Sequence, residues 1–141
     1  MKKTLVLLSA LFLACSPTLQ NRKSSPALYE ILTQQETGGA NINFYEVISD
    51  EKELPMLLGD QNLQGKIGKE DIKTSTFVLL NMGEKRTGGF SISVESVREE
   101  ADKIVIKVKE SGPKPGSMVT QALTYPYAVV RVNSKKPIVI E

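Results

Sequence analysis

The sequence predicts a mainly β chain, an antiparallel β-sandwich or half-barrel with one short helix. Three observations predict it. Phe90, Ile92 and Val94 alternate with Ser91, Ser93 and Glu95, and Ile104, Ile106 and Val108 alternate with Val105, Lys107 and Lys109; a period of two turns one face of each segment inward. Thr76-Phe77-Val78-Leu79-Leu80 is a continuous apolar run, as expected of a strand buried on both faces. No segment alternates strand and long helix in the manner of βαβ units, which leaves six or seven strands to pack as two layers.

Taken in order, Ala27 to Gln35 carries Leu28, Ile31 and Leu32, a spacing that fits either a helix or a strand. Gly38-Gly39 marks a turn. Asn43 to Ser49 is rich in aromatic and β-branched residues and reads as a strand. Asp50 and Glu53 have the spacing of a capping box, with Asp in place of Ser or Thr. Pro55 fits the first turn of a helix, Leu54, Leu57 and Leu58 share a face, and Gly59 ends it. Gln61 to Asp71 is expected to be a polar loop. The two alternating strands are joined through Arg98-Glu99-Glu100-Ala101-Asp102 as an antiparallel hairpin. Ser111 to Ser117 holds two prolines and two glycines and is loop. Thr120 to Thr124 is extended, Tyr127 to Val132 is a strand, and Asn133 to Pro137 turns the chain into a last strand, Ile138-Val139-Ile140.

Composition narrows the chemistry. The chain has 141 residues, 18 Lys and Arg against 16 Asp and Glu, no His, no Trp and one Cys. That length holds one modest domain, and 40% hydrophobic with 24% charged residues is globular rather than disordered. Without His, neither a Ser-His-Asp nor a Cys-His nucleophile can be assembled, nor a His-containing zinc or haem site. One Cys excludes a disulfide within the chain. The carboxylates Glu99 and Glu100 sit on a hairpin tip, and Glu51 and Glu53 open a helix. Both are usual places for solvated charge, whereas a glycosidase needs two carboxylates facing across a cleft. Asp50, Asp60, Asp71 and Asp102 are too scattered for a calcium loop. No enzyme, no metal and no cofactor are expected.

The N-terminus reads as an address. Met1-Lys2-Lys3-Thr4 is a short basic segment, and Leu5 to Ala14 is almost wholly apolar. About ten such residues suit a signal-peptide core and are too few to span a ~30 Å hydrocarbon layer. Phe12-Leu13-Ala14-Cys15 resembles a bacterial lipobox, whose Cys is lipidated and becomes the new N-terminus. Phe12 and Leu13 are looser matches than Ala14 and Cys15. The expected organisation is a lipoprotein signal peptide over 1–14, a flexible tether over 15–26 after lipidated Cys15, and a single β domain over 27–141. Loss of Lys2 and Lys3 leaves 16 basic against 16 acidic side chains. A neutral mature surface argues against nucleic acid, whose binding rests on phosphate neutralisation. The membrane would then be met through acyl chains alone, each adding about 0.8 kcal/mol per buried CH₂, and the protein is expected in the cell envelope.

Two further stretches carry a resemblance. Phe77 to Val97 runs apolar strand, Gly83, charged turn, Thr87-Gly88-Gly89-Phe90, strand; Gly112 to Tyr127 runs a Pro/Gly loop into Ala122-Leu123-Thr124-Tyr125-Pro126. Together, over roughly 72–133, they resemble the PrcB C-terminal domain family, named from a lipoprotein subunit of a bacterial surface protease complex. Phe90 stands where Tyr is commoner, and Arg86 where a Pro often precedes the Thr. The resemblance implies an exported accessory or binding protein, not a peptidase. The same pair of loops also resembles chagasin-type cysteine-protease inhibitors in loop chemistry alone. The Asn-Pro and Arg-Pro-Trp of those inhibitors are missing, so inhibition is not carried over.

Each motif has a structural and a functional side. The glycines of Thr87-Gly88-Gly89-Phe90 let a partner approach the backbone, or they supply the φ > 0 of a turn. Phe90 is an interface anchor, or it opens the apolar face of Ile92 and Val94. Met118, closing the loop Pro113-Lys114-Pro115-Gly116-Ser117-Met118, is a flexible apolar contact or a plug into the core. Tyr125-Pro126 is a rigid corner that permits a cis bond. The leading expectation is a lipid-anchored module that binds a protein, a protease or a subunit of its complex. Its binding end would hold Lys85, Arg86, Thr87, Gly88, Gly89, Phe90, Pro113, Pro115, Gly116 and Met118, which requires the two loops to lie together. The alternatives are an envelope module binding a glycan or small molecule in an aromatic-lined pocket, and a structural envelope protein.

Overall fold

The structure, a computed structural model, describes residues 26–141. The expected leader, Cys15 and nearly all of the tether lie outside the described residues. Seven strands follow in the described chain: β1 Tyr29–Gln35, β2 Asn43–Ile48, β3 Thr76–Met82, β4 Ser91–Glu99, β5 Ile104–Ser111, β6 Tyr127–Val132 and β7 Ile138–Ile140. One five-residue α-helix, α1 Leu54–Leu58, and two single-turn 3-10 helices, Gln61–Leu63 and Asp71–Lys73, sit between β2 and β3. The chain is mainly β, as its patterning predicts.

The strands form two sheets, one in the order β1-β6-β3-β2 and the other β4-β5-β7. They pack face to face through Val78, Leu80, Met82, Ala128, Val130 and Val132 of the first sheet and Ile92, Val94, Ile104 and Ile106 of the second. Neighbouring residues on β3 and β6 point the other way. Phe77, Leu79, Tyr127 and Val129 pack against Leu54, Leu57, Leu63, Ile67 and Ile72. The four-stranded sheet is therefore a middle layer. This is the physical reason β3 reads as an unbroken apolar run: both of its faces are covered, and all seven of its residues are buried.

Several expectations need correction. The segment 61–71 is polar in composition, yet it forms the third layer. Leu63 and Ile67 are its buried apolar residues, and Ile72 follows immediately after it. Lys66 Nζ donates to Leu32 O at 2.7 Å, and Arg131 reaches Lys66 O and Asp71. The undecided segment 27–35 is strand β1. Its register against β6 shifts between Ile31 and Thr33, and a bulge of this kind breaks the period of two. The capping box does not form. Asp50 Oδ1 accepts from Lys52 N at 2.8 Å and Glu53 Oε2 accepts from Ser49 N at 3.4 Å, so both carboxylates serve the turn before α1. Gly59 does cap α1, in a right-handed conformation with φ −80°. Thr120 to Thr124 is no strand; it makes one bridge, between Thr124 and Lys85.

The last strand departs most from a simple antiparallel order. After β6 the chain crosses to the other sheet, and β7 pairs with β5 in parallel, Ile104 to Ile138 and Ile106 to Ile140. Side chains pin the crossing. Lys135 Nζ donates to Ser49 O and Ile72 O, both at 2.9 Å, and Thr76 Oγ1 donates to Ser134 O at 2.9 Å. The peptide bond at Tyr125-Pro126 is trans, like every other described bond.

Candidate functional site

Strand direction sorts the loops. Register pairs Gln35 with Tyr127 at one end of the first sheet and Tyr29 with Val132 at the other. The connections 36–42, 83–90 and 112–126 therefore share the Gln35–Tyr127 end. The chain enters β1 at the opposite end, where Asn133 N donates to Leu28 O at 2.8 Å.

The two loops singled out from sequence do meet. Lys85 and Thr124 exchange backbone hydrogen bonds of 2.8 and 2.9 Å, and Gly88 N donates to Thr120 O at 3.0 Å. Thr124 Oγ1 donates to Thr87 O at 2.8 Å. The third loop joins them: Gly89 N donates to Glu36 Oε1 at 2.5 Å, and Tyr125 N to Glu36 O at 3.1 Å. Glu84 accepts from the Tyr125 hydroxyl at 2.9 Å, which holds that phenol above its ordinary range.

This contact decides what each residue is doing. Gly88 is buried, and a Cβ there would stand 2.3 Å from Thr120 Oγ1. Gly89 has φ +88°, and a Cβ would stand 2.9 Å from that of Pro113. The freedom of both glycines is used between the loops. The half-buried Phe90 ring packs on the sandwich core and beside Gly112, with Lys85 Nζ 5.6 Å from its centroid. Thr87 and Pro113 are also partly buried in the loop contact. Gly116, at φ +77° with open space around it, turns a tight loop in which Ser117 N and Oγ both donate to Lys114 O.

Outward-facing groups remain. Arg86, Lys114, Pro115 and Met118 are exposed, and Met118 is fully so, at 100%. Sequence reasoning missed two apolar neighbours at this end, Leu123 at 55% and Ile42 at 62% exposure. Their signal was weak: each is one apolar residue within a polar stretch. Among the described residues no three Cys, Asp or Glu side chains gather to hold a metal. The end presents apolar side chains with Arg86 and Lys114 on a tied loop platform, beside the exposed carboxylates Glu36 and Glu84.

Comparison with known proteins agrees with the motifs. Residues 76–133 match the model of the PrcB C-terminal family, and that stretch spans β3 to β6 with both paired loops. No curated protein and no solved structure matches the chain.

Proposed function

We propose, on the premise that residues 76–133 belong to the PrcB C-terminal family, that the chain is an exported, lipid-anchored and non-catalytic accessory subunit. It binds a protein partner of an envelope protease complex through the loop end. One observation carries this reading: the N-terminal entry and the loop platform lie at opposite ends of the fold. A seven-residue strand is roughly 23 Å long. An anchor at Cys15 would thus leave Arg86, Lys114, Met118 and Leu123 facing away from the bilayer. Twelve tether residues span at most about 40 Å when extended, enough to let that end reach a membrane-bound neighbour.

The exposed groups suit a protein partner. Met and Arg are enriched at interfaces, and apolar side chains that stay wet in the free protein gain most on docking. The glycines are not the residues to test, because changing them alters the platform itself. The experiment is cross-linked affinity capture from the native envelope, wild type beside a Met118→Asp/Leu123→Asp variant with an unchanged melting temperature. Capture of a peptidase or its subunits by wild type, and its loss with the variant, is expected. An identical set from both, or no enriched protein from either, overturns the proposal. In the same preparation Cys15→Ser should move the protein out of the membrane fraction; retention there removes the lipid anchor from the reading.

A further inference from the structure

We propose that the cleft between the 38–40 bend, α1 and the outer face of the four-stranded sheet binds a neutral, hydroxyl-rich ring, the sugar residue of a glycan. The cleft is about 570 Å³, within the ~300–1,000 Å³ of small-molecule sites. Its floor is Leu79, Val129 and the side of Phe44, and its polar groups converge from three elements.

The telling group is Asn81. Alternation along β3 places it on the same face as Phe77 and Leu79, and it is 2% exposed. Its Oδ1 accepts from Ala40 N at 2.8 Å. That bond fixes the amide orientation, because only the oxygen can accept. The Nδ2 is thereby turned from Ala40 N on a residue that lines the cleft, and no described group accepts from it. It is open to the cleft, because Arg131 Nε is the only fully buried side-chain donor without a partner among the described residues. A donor held on a buried side chain with no internal partner is satisfied by cleft water, or by a ligand oxygen that displaces it.

Across the cleft, the Tyr127 hydroxyl donates to Asp60 Oδ2 at 2.6 Å and accepts from Asn62 Nδ2 at 2.9 Å. Asp60 Oδ1 accepts from Asn62 N at 2.8 Å. This network leaves a fixed carboxylate at the rim. Among the described residues no Lys or Arg lines the cleft, so a phosphate, sulfate or carboxylate would meet negative charge without compensation from them. A hydroxyl both accepts and donates, which matches an amide donor on one wall and a carboxylate acceptor on the other. The C–H face of a sugar ring matches Phe44. Most of this wall, from Gly38 to Asn62, lies outside the family-matched segment. The cleft shares the 36–42 connection with the loop platform but is lined by none of Arg86, Lys114, Met118 and Leu123, so variants of either site test one reading without the other.

The test is a titration of the ¹⁵N-labelled folded chain with glucose, N-acetylglucosamine and their β-1,4-linked trimers, with a sulfated oligosaccharide as anionic control. Saturable shifts at the Asn81 side-chain amide and the 38–40 backbone amides are expected, with Kd on the order of 1 mM or tighter. Asn81→Asp keeps the acceptor for Ala40 and loses the donor; Phe44→Leu keeps the packing and loses the ring. Each should weaken binding about tenfold or more with an unchanged amide spectrum elsewhere. Should either variant unfold, the wild-type titration alone decides. No saturable shift with any neutral saccharide at ~100 mM, far above that affinity, overturns the proposal. So do shifts confined to other surfaces, or a response to the sulfated control alone.

Discussion

Lys85 and Thr124 exchange both of their backbone hydrogen bonds, at 2.8 and 2.9 Å, although β4, β5 and most of two loops separate them in sequence. This bridge makes one platform of two connections. Gly88 sits against Thr120 and Gly89 against Pro113 on the same seam. Gly88→Ala and Gly89→Ala are therefore expected to destabilise the fold by about 1–3 kcal/mol each, from steric overlap at the first and from positive φ plus overlap at the second. Gly116→Ala, with φ +77° in open space, should cost less, about 1 kcal/mol. Urea unfolding measures all three; equal losses at the three positions would contradict the seam.

Leu63 tests the third layer. It is buried at the end of a 3-10 turn, in a stretch that otherwise looks like solvated loop. Leu63→Ala should cost about 2–4 kcal/mol, the usual range for emptying a packed leucine site. A change below about 0.5 kcal/mol, the surface value, would mean that 61–73 does not cover the sheet.

Lys135 draws together three elements. Its ammonium donates to Ser49 O, Ile72 O and Ser75 O, at 2.9, 2.9 and 3.4 Å. These carbonyls close β2, the second 3-10 turn and the approach to β3. Lys135→Met keeps the stem and removes the donors, and should lower stability by about 1–3 kcal/mol. The check is denaturant unfolding beside Lys136→Met, whose partners are Glu99 and Glu100 on the hairpin tip; there a loss under about 1 kcal/mol is expected.

The tyrosines set an alkaline limit. Burial and the Asp60 carboxylate push the Tyr127 phenol up to about 12, and burial with Glu110 pushes Tyr45 to about 12. An unfolded tyrosine ionises near 10. Between these values the folded chain holds protons that the unfolded chain releases, so stability falls as pH rises from about 10 to about 12 and is flat with respect to these groups below that. Tyr127→Phe should flatten part of this fall, and Tyr45→Phe added to it should flatten it further. Thermal melts across that pH window decide; an unchanged slope in the double variant would remove both phenols from the account.

The strands from Thr76 onward were legible because each carries enough local pattern, even β4, whose alternation holds only to Val94, before its register against β5 shifts. β3, β5 and β6 carry long or alternating apolar runs with polar turns between them, and local pattern is enough to place such elements. The family resemblance drew on the same stretch, since Thr87 to Phe90 and Gly112 to Tyr127 are dense in glycine and proline, whose backbone freedom and restriction mark particular turns. The segment 27–35 was not legible as a strand. Its bulge at Leu32 turns adjacent residues inward, and periodicity cannot distinguish that from a helix.

The sequence by itself determined the class of the fold, the turns and the two loops, because glycine, proline and alternation act within a few residues. Tertiary structure alone decided which polar segment becomes a layer, which sheet receives β7, and that Gly88 and Gly89 accommodate Thr120 and Pro113. It also decided that Asn81 turns a buried amide toward a cleft. Each of these depends on which distant backbone lies within a few ångströms, and burial and hydrogen-bond satisfaction are properties of that neighbourhood rather than of the local chain.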